Sequence, residues 1–222
     1  MRARTPFIFQ ECITLVELTG RSANNFEGFL RAIEEVHPSV IFHHTHHPLL
    51  RHHFVPPEYP NDFARWAADS FKDRALAERL ANIDPFEFTD VEELRASILA
   101  ILRDHRQRLP PEMLKLEVPR FYFDSSVSIV FPSQYQAIDL REFRQALARI
   151  NPGSIYFHFF EARLRTGARI DDFSNWIEQN FAQSDLVQAI RRIDPYVFSL
   201  EELREQLINL VSNWELATEL KQ

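Results

Sequence analysis

Glycine is scarce in this chain, with four among 222 residues. So few leave no room for a glycine-rich phosphate loop. Neither a G-x-x-x-x-G-K-[ST] nor a G-x-G-x-x-G string occurs, and a turn-dense β-sandwich is equally disfavoured. The single cysteine, Cys12, excludes an intrachain disulfide and any C-x-x-C metal or redox pair. It reads as a small buried hydrophobe. Basic excess is absent too: the formal charge is −7, about −3 over residues 1–115 and −4 over the rest. Neither half has the electrostatic footprint of a phosphate-backbone binder, so nucleic acid is not an expected partner. No run of 18 apolar residues and no charged-then-apolar leader occurs. A membrane is therefore not expected either, and the expected location is the cytoplasm.

Aromatic residues, by contrast, are abundant, with 20 Phe, and apolar residues are spread along the whole chain. That distribution predicts a folded chain rather than a disordered one. The chain also repeats itself. At a constant shift of 114, Phe7, Phe9 and Val16 meet Phe121, Phe123 and Val130; Phe29, Ala32 and Pro38 meet Phe143, Ala146 and Pro152. Ile41, His44, Leu50 and Arg51 meet Ile155, His158, Leu164 and Arg165 without a gap. Beyond a loop that is four residues longer in the first half, Asp62, Phe63 and Trp66 meet Asp172, Phe173 and Trp176. Ile83-Asp84-Pro85 meets Ile193-Asp194-Pro195, and Glu92-Glu93-Leu94-Arg95 meets Glu201-Glu202-Leu203-Arg204. About two dozen identities in one order, mostly at shape-determining residues, point to an internal duplication.

The pattern predicts a mainly α fold with short strands at the start of each half. Two tandem helical repeats, residues 1–109 and 121–222, would pack about a pseudo-twofold axis, with 110–120 as connector. Asn25 and Asp139 sit at helix starts ahead of residues at helical spacing, and these helices stop before Pro38 and Pro152. A second helix, near Ser39 or Ser154, carries the histidines. Asp62 and Asp172 read as N-caps of a third, and a fourth ends at the Asp-Pro step. Thr89 with Glu92, and Ser199 with Glu202, read as capping boxes of the last helix. Phe7–Phe9, Phe121–Phe123 and Ser126–Phe131 read as extended, while Ile13–Leu18 fits either strand or helix.

Several of these strings, namely Ser39–Arg51, Asn61–Trp66, Ser154–Arg165 and Ile-Asp-Pro ahead of Glu-Glu-Leu-Arg, carry a resemblance over nearly the whole chain. They resemble the duplicated prokaryotic family known as domain of unknown function 5752. The resemblance implies a bacterial or archaeal protein and brings no activity with it.

One polar stripe repeats. His44, His47 and Arg51 have His158, Glu161 and Arg165 as counterparts, at spacing i, i+3, i+7, among aromatic and aliphatic neighbours. By contrast, His43, His46 and His37 meet Phe157, Phe160 and Asn151, positions the other half uses as core or cap, and His52 and His53 lie in the longer loop. The six-residue stripe reads either as a buried network or as a ligand site. As a site, its donors suit a phosphate or carboxylate, with His47 and Glu161 orienting the others. A divalent metal on His44, His47, His158 and Glu161 is the alternative, set back by two guanidinium groups beside it. No nucleophile elbow or triad appears, and no cofactor is expected. The expected function is a non-catalytic regulatory, scaffold or ligand-binding module whose partner is a protein or a small anionic ligand. The alternatives are a sensor of an anionic metabolite such as a sugar phosphate, and a metal-dependent enzyme.

Overall fold

Short polar side chains start nearly every helix of the computed structural model, which describes residues 2–48, 58–88, 90–165, 170–181, 183–194 and 197–219, except the side chains of 164, 165, 218 and 219. Asn25 caps α1 (Phe26–Glu35) by accepting from Gly28 N–H at 2.8 Å, and Asp139 caps its counterpart Leu140–Leu147 through Glu142 N–H at 2.8 Å. Each such cap satisfies an N–H that the helix itself leaves unpaired. His37 caps α2 (Pro38–His46) through Ser39 N–H, as Asn151 caps Pro152–Ile155 through Gly153 N–H.

Two expected caps move by one residue. The N-cap of α3 (Asp62–Asp69) is Asn61, which accepts from Ala64 N–H at 2.8 Å. Before Asp172–Phe181 the same contact is made by Asp171, with Ser174 N–H at 2.7 Å. The carboxylates of Asp62 and Asp172 meet histidines instead. α5 (Val91–Arg108), which follows α4 (Arg74–Ala81), is capped by Asp90 through Glu93 N–H, and Thr89, expected to form a box with Glu92, lies outside the described residues. The Ser199–Glu202 box is present in both directions: Ser199 N–H donates to Glu202 Oε2 at 2.8 Å, and Glu202 N–H to Ser199 Oγ at 3.3 Å. It opens the last helix, Leu200–Glu219, which follows Ser184–Arg191. The expected connector holds a short helix, Pro111–Leu114.

The second-half counterpart of α2 departs from α geometry. After Pro152–Ile155 the chain winds as a π-helix over Tyr156–Glu161 before Ala162–Arg165. Tyr156, Phe157, His158, Phe159 and Phe160 are all buried, so this turn is covered on every side instead of showing one apolar stripe. Gly153 is required just before it. A Cβ there would meet the Cys12 carbonyl oxygen at 2.9 Å, and the Cys12 thiol donates to the Gly153 carbonyl at 3.3 Å.

The strands are longer than expected: β1 covers Phe7–Glu17 and β4 covers Ser125–Ala137, hydrogen-bonded to each other as a two-stranded sheet. A second sheet pairs β2 (Ser22–Ala23) antiparallel with β3 (Phe121–Tyr122), Ser22 opposite Tyr122 and Ala23 opposite Phe121.

The helices of the two halves follow the same order, but the compact units are not the contiguous stretches 1–109 and 121–222. One unit holds the described residues between Thr14 and Ser128; the other holds those up to Ile13 together with those from Ile129 onwards. The physical reason lies in the paired phenylalanines. Phe121 and Phe123 pack on Phe29, at 5.2 and 5.6 Å between ring centroids, and Phe121 also packs on Phe63 at 5.5 Å. Phe7 and Phe9 pack on Phe143 at 5.6 and 5.5 Å, and Phe7 on Trp176 at 5.5 Å. Each helical set is thus closed by the aromatic strand of the other half.

Candidate functional site

His44 is carried on α2 and held from both sides within its unit. Its Nδ1 lies 3.0 Å from Asp62 Oδ2 at the start of α3, and its Nε2 accepts from the Asp124 backbone N–H at 3.1 Å. The donor at Nε2 requires a lone pair there, so the ring proton sits on Nδ1 and is given to Asp62. His158 repeats the arrangement in the other unit, with Nδ1 2.8 Å from Asp172 Oδ2 and Gln10 N–H donating to Nε2 at 2.8 Å. Phe121 lies against the His44 ring at 4.6 Å, and Phe7 against His158 at 4.9 Å. In each unit one buried imidazole thus bridges a helix-start carboxylate to the backbone of the strand that closes the core. Asp62 and Asp172 are the His partners and not the caps that their position suggests.

The rest of the stripe divides. His47 is the C-cap of α2, which ends at His46, and its ring stacks on His43 at 4.6 Å. Arg51 lies outside the described residues, as does the side chain of Arg165, whose backbone closes the helix Ala162–Arg165. Glu161 ends the π-helix, half-buried. Its charge, after burial itself, pushes the Cys12 thiol up to about 12, with Glu11 adding to the effect. A thiol held there is not a nucleophile at neutral pH. His44 and His47 belong to one unit, and His158, Glu161 and the backbone of Arg165 to the other.

His43, His44 and Asp62 each offer a ligand atom within 4.8 Å of the others, the one metal-type group among the described residues. The tautomer weighs against a cation there. A metal at Nδ1 of His44 would move the ring proton to Nε2, where it would face the Asp124 N–H donor to donor. In the second half, Phe157 replaces His43.

Besides a cleft of about 440 Å3 lined by Glu27, Arg31, Glu34, Arg103 and Arg106, two more open in the unit of α1 to α5. The one beside His44 and Asp62, about 410 Å3, is lined also by Arg65, Asp69, Arg120 and Tyr122. Its arginines face two carboxylates, and their counterparts in the second half are Asn175 and Pro6. The other, about 590 Å3, has Val36 and Val40 together with Glu17, Glu35, Arg21 and His37, and Arg21 is ion-paired with Glu35.

Two matched residues that the stripe reading passes over are structural anchors. Arg95 is buried, and its Nη1 donates to the carbonyls of Ile33 and Glu34 at 3.0 and 3.3 Å, closing the end of α1. Arg204 does the same to Leu147 and Ile150, both at 2.8 Å. Glu92 and Glu201, three residues earlier on the same helices, hold the two guanidinium groups. The repeated Glu-Glu-Leu-Arg string is the sequence signal of this contact. Asp171, the buried cap, has its carboxyl raised by burial, against the opposing bonds from Ser174. Among the described residues no helix is long and apolar enough to cross a membrane.

A model of a family of unknown function, DUF5752, matches residues 4–212, and the chain belongs to that family. A solved structure described as the structure of OrfY from Thermoproteus tenax is similar to it at 32% identity and a TM-score of 0.80, covering 96% of this chain and 97% of that one. No curated protein matches the chain in sequence.

Proposed function

We propose that this member of the family is a non-catalytic regulatory or scaffold module, built from a duplicated helical repeat, that works by protein contact. The observation that carries the reading is a strand pair with exposed apolar side chains. Along β4, Val127, Ile129, Val130 and Phe131 are 55, 49, 40 and 37% exposed, while the polar Ser126 and Ser128 are half-covered. On β1, Ile13, Leu15 and Val16 are 53, 53 and 51% exposed. A strand normally turns its apolar side chains inward, and contiguous exposed apolar side chains mark a contact surface. The paired histidines support the same reading from the other side: both ring nitrogens of each are engaged by the fold, which leaves no imidazole lone pair for acid–base work.

An anion site in the cleft beside His44 is the second reading, favoured by the guanidinium groups of Arg65 and Arg120 there. A thermal-shift panel of orthophosphate, sugar phosphates, zinc and magnesium separates the two. The module reading expects no saturable rise in Tm with any of them. A saturable rise with a phosphate compound that disappears in Arg120→Ala would replace it with a ligand sensor. A rise with zinc lost in His43→Phe, which installs the second-half residue, would replace it with a metal site.

A further inference from the structure

The open edge of β4 has the chemistry of a strand that pairs with itself. β4 is one of two strands in its sheet, so β1 occupies one edge and, among the described residues, no further strand occupies the other. Across its 13 residues, Ser125–Ala137, there is no charged side chain. Natural edge strands are commonly guarded by charge, because an unpaired row of N–H and C=O groups is a template for another chain. β1 carries such guards, Glu11 and Glu17, and antiparallel pairing of two β1 edges would bring like charges together. β4 has only Pro132, which lacks an N–H and so confines pairing to the residues before it.

We infer that β4 is a homodimer interface, the occupant of its edge and of its exposed apolar side chains being the same strand of a second copy of this chain. This inference rests on the protein-contact reading and names the partner. Antiparallel pairing of a strand with its own copy generates a twofold axis without further conditions, the commonest symmetry of soluble oligomers. Centred on Ile129, it sets Ile129 against its own copy and Val127 against Phe131 of the other copy. These are β-branched and aromatic cross-strand pairs that bury the exposed side chains. A strand without charge has nothing with which to select an oppositely charged partner, and nothing that repels itself.

The test is the solution mass of the full chain by light scattering across a dilution series, with helical circular dichroism as the folding control. The expected mass is twice 26.2 kDa, falling on dilution. Ile129→Lys puts two like charges at the axis and is expected to give the 26.2 kDa species with unchanged dichroism, whereas Tyr122→Lys, on β3 and 61% exposed, is expected to leave the dimer intact. If Ile129→Lys fails to fold, Phe131→Lys is judged by the same mass. A wild-type chain that stays at 26.2 kDa at every concentration overturns the inference, as does a folded lysine variant that keeps the dimer mass. Neither result touches the ligand panel, so self-pairing can fail while the module reading stands.

Discussion

Trp176→Ala is expected to lower the free energy of unfolding by about 3–5 kcal/mol, the range for truncating a large core aromatic. The ring is buried, lies 5.3 Å from Phe143 and 5.5 Å from Phe7, and its Nε1–H donates to the Thr5 carbonyl at 2.8 Å. The substitution therefore leaves a cavity between the helices and the incoming strand, and orphans the Thr5 carbonyl just ahead of that strand. Trp66 occupies the equivalent place, stacked on Phe29 at 4.2 Å with its N–H on the Pro119 carbonyl. Urea unfolding monitored by dichroism measures the loss. A change under about 1 kcal/mol would mean that the ring contributes little to the core and would point to a surface stacking role for it instead.

His46→Phe is expected to remove much of the acid sensitivity of the fold. His46 is buried between Phe42 and Phe86, at 4.7 and 5.6 Å. Thr45 Oγ1 donates to the Ile41 carbonyl and accepts from His46 Nδ1, while Nε2 meets no partner among the described residues. Burial lowers its pKa to about 3, against a small opposing bond from the Phe42 backbone. With the folded value below the unfolded value of about 6.5, the unfolded chain binds more protons between them. The neutral ring's contribution is thus complete above the unfolded value and is lost as pH falls toward the folded one. At pH 4 the cost is roughly 3 kcal/mol. Phenylalanine, already present at the matched position 160, cannot take up that proton. The variant should match the wild type near pH 7 in urea unfolding and exceed it at pH 4. Parallel pH profiles of the two proteins would show that His46 is not the group that titrates.

The helices were legible because their signals are local. Asn25 and Asp139 stand directly before apolar residues at helical spacing, and Pro38 and Pro152, each 13 residues further on, mark the end of that helical stretch. The caps at α3 were misread by one place for a reason the structure makes plain. Asp62 and Asp172 are identical because they serve identical histidines, while the caps, Asn61 and Asp171, differ because either side chain accepts the same N–H. Identity tracked the more demanding contact. The exchange of strands was not legible at all: the colinear alignment of Phe7 with Phe121 is the same whether each packs on its own helices or on those of the other half. Only the tertiary contacts decide that. The polar stripe pairs His44 with His158 in sequence, but spacing along one helix does not show that a remote backbone N–H takes the second ring nitrogen.

That exchange, pinned by the two histidines, is the central claim, and peptide complementation tests it most directly. Residues 121–222 lack the Phe7–Phe9 strand and the Gln10 N–H that the His158 unit uses. This fragment alone should show weakened tertiary structure. Addition of a peptide spanning residues 1–17 should restore cooperative thermal unfolding, and the same peptide with Phe7→Ala and Phe9→Ala should fail to do so. A fragment that unfolds cooperatively by itself and ignores the peptide would contradict the account, because its helices would then close their core with the strand of their own half.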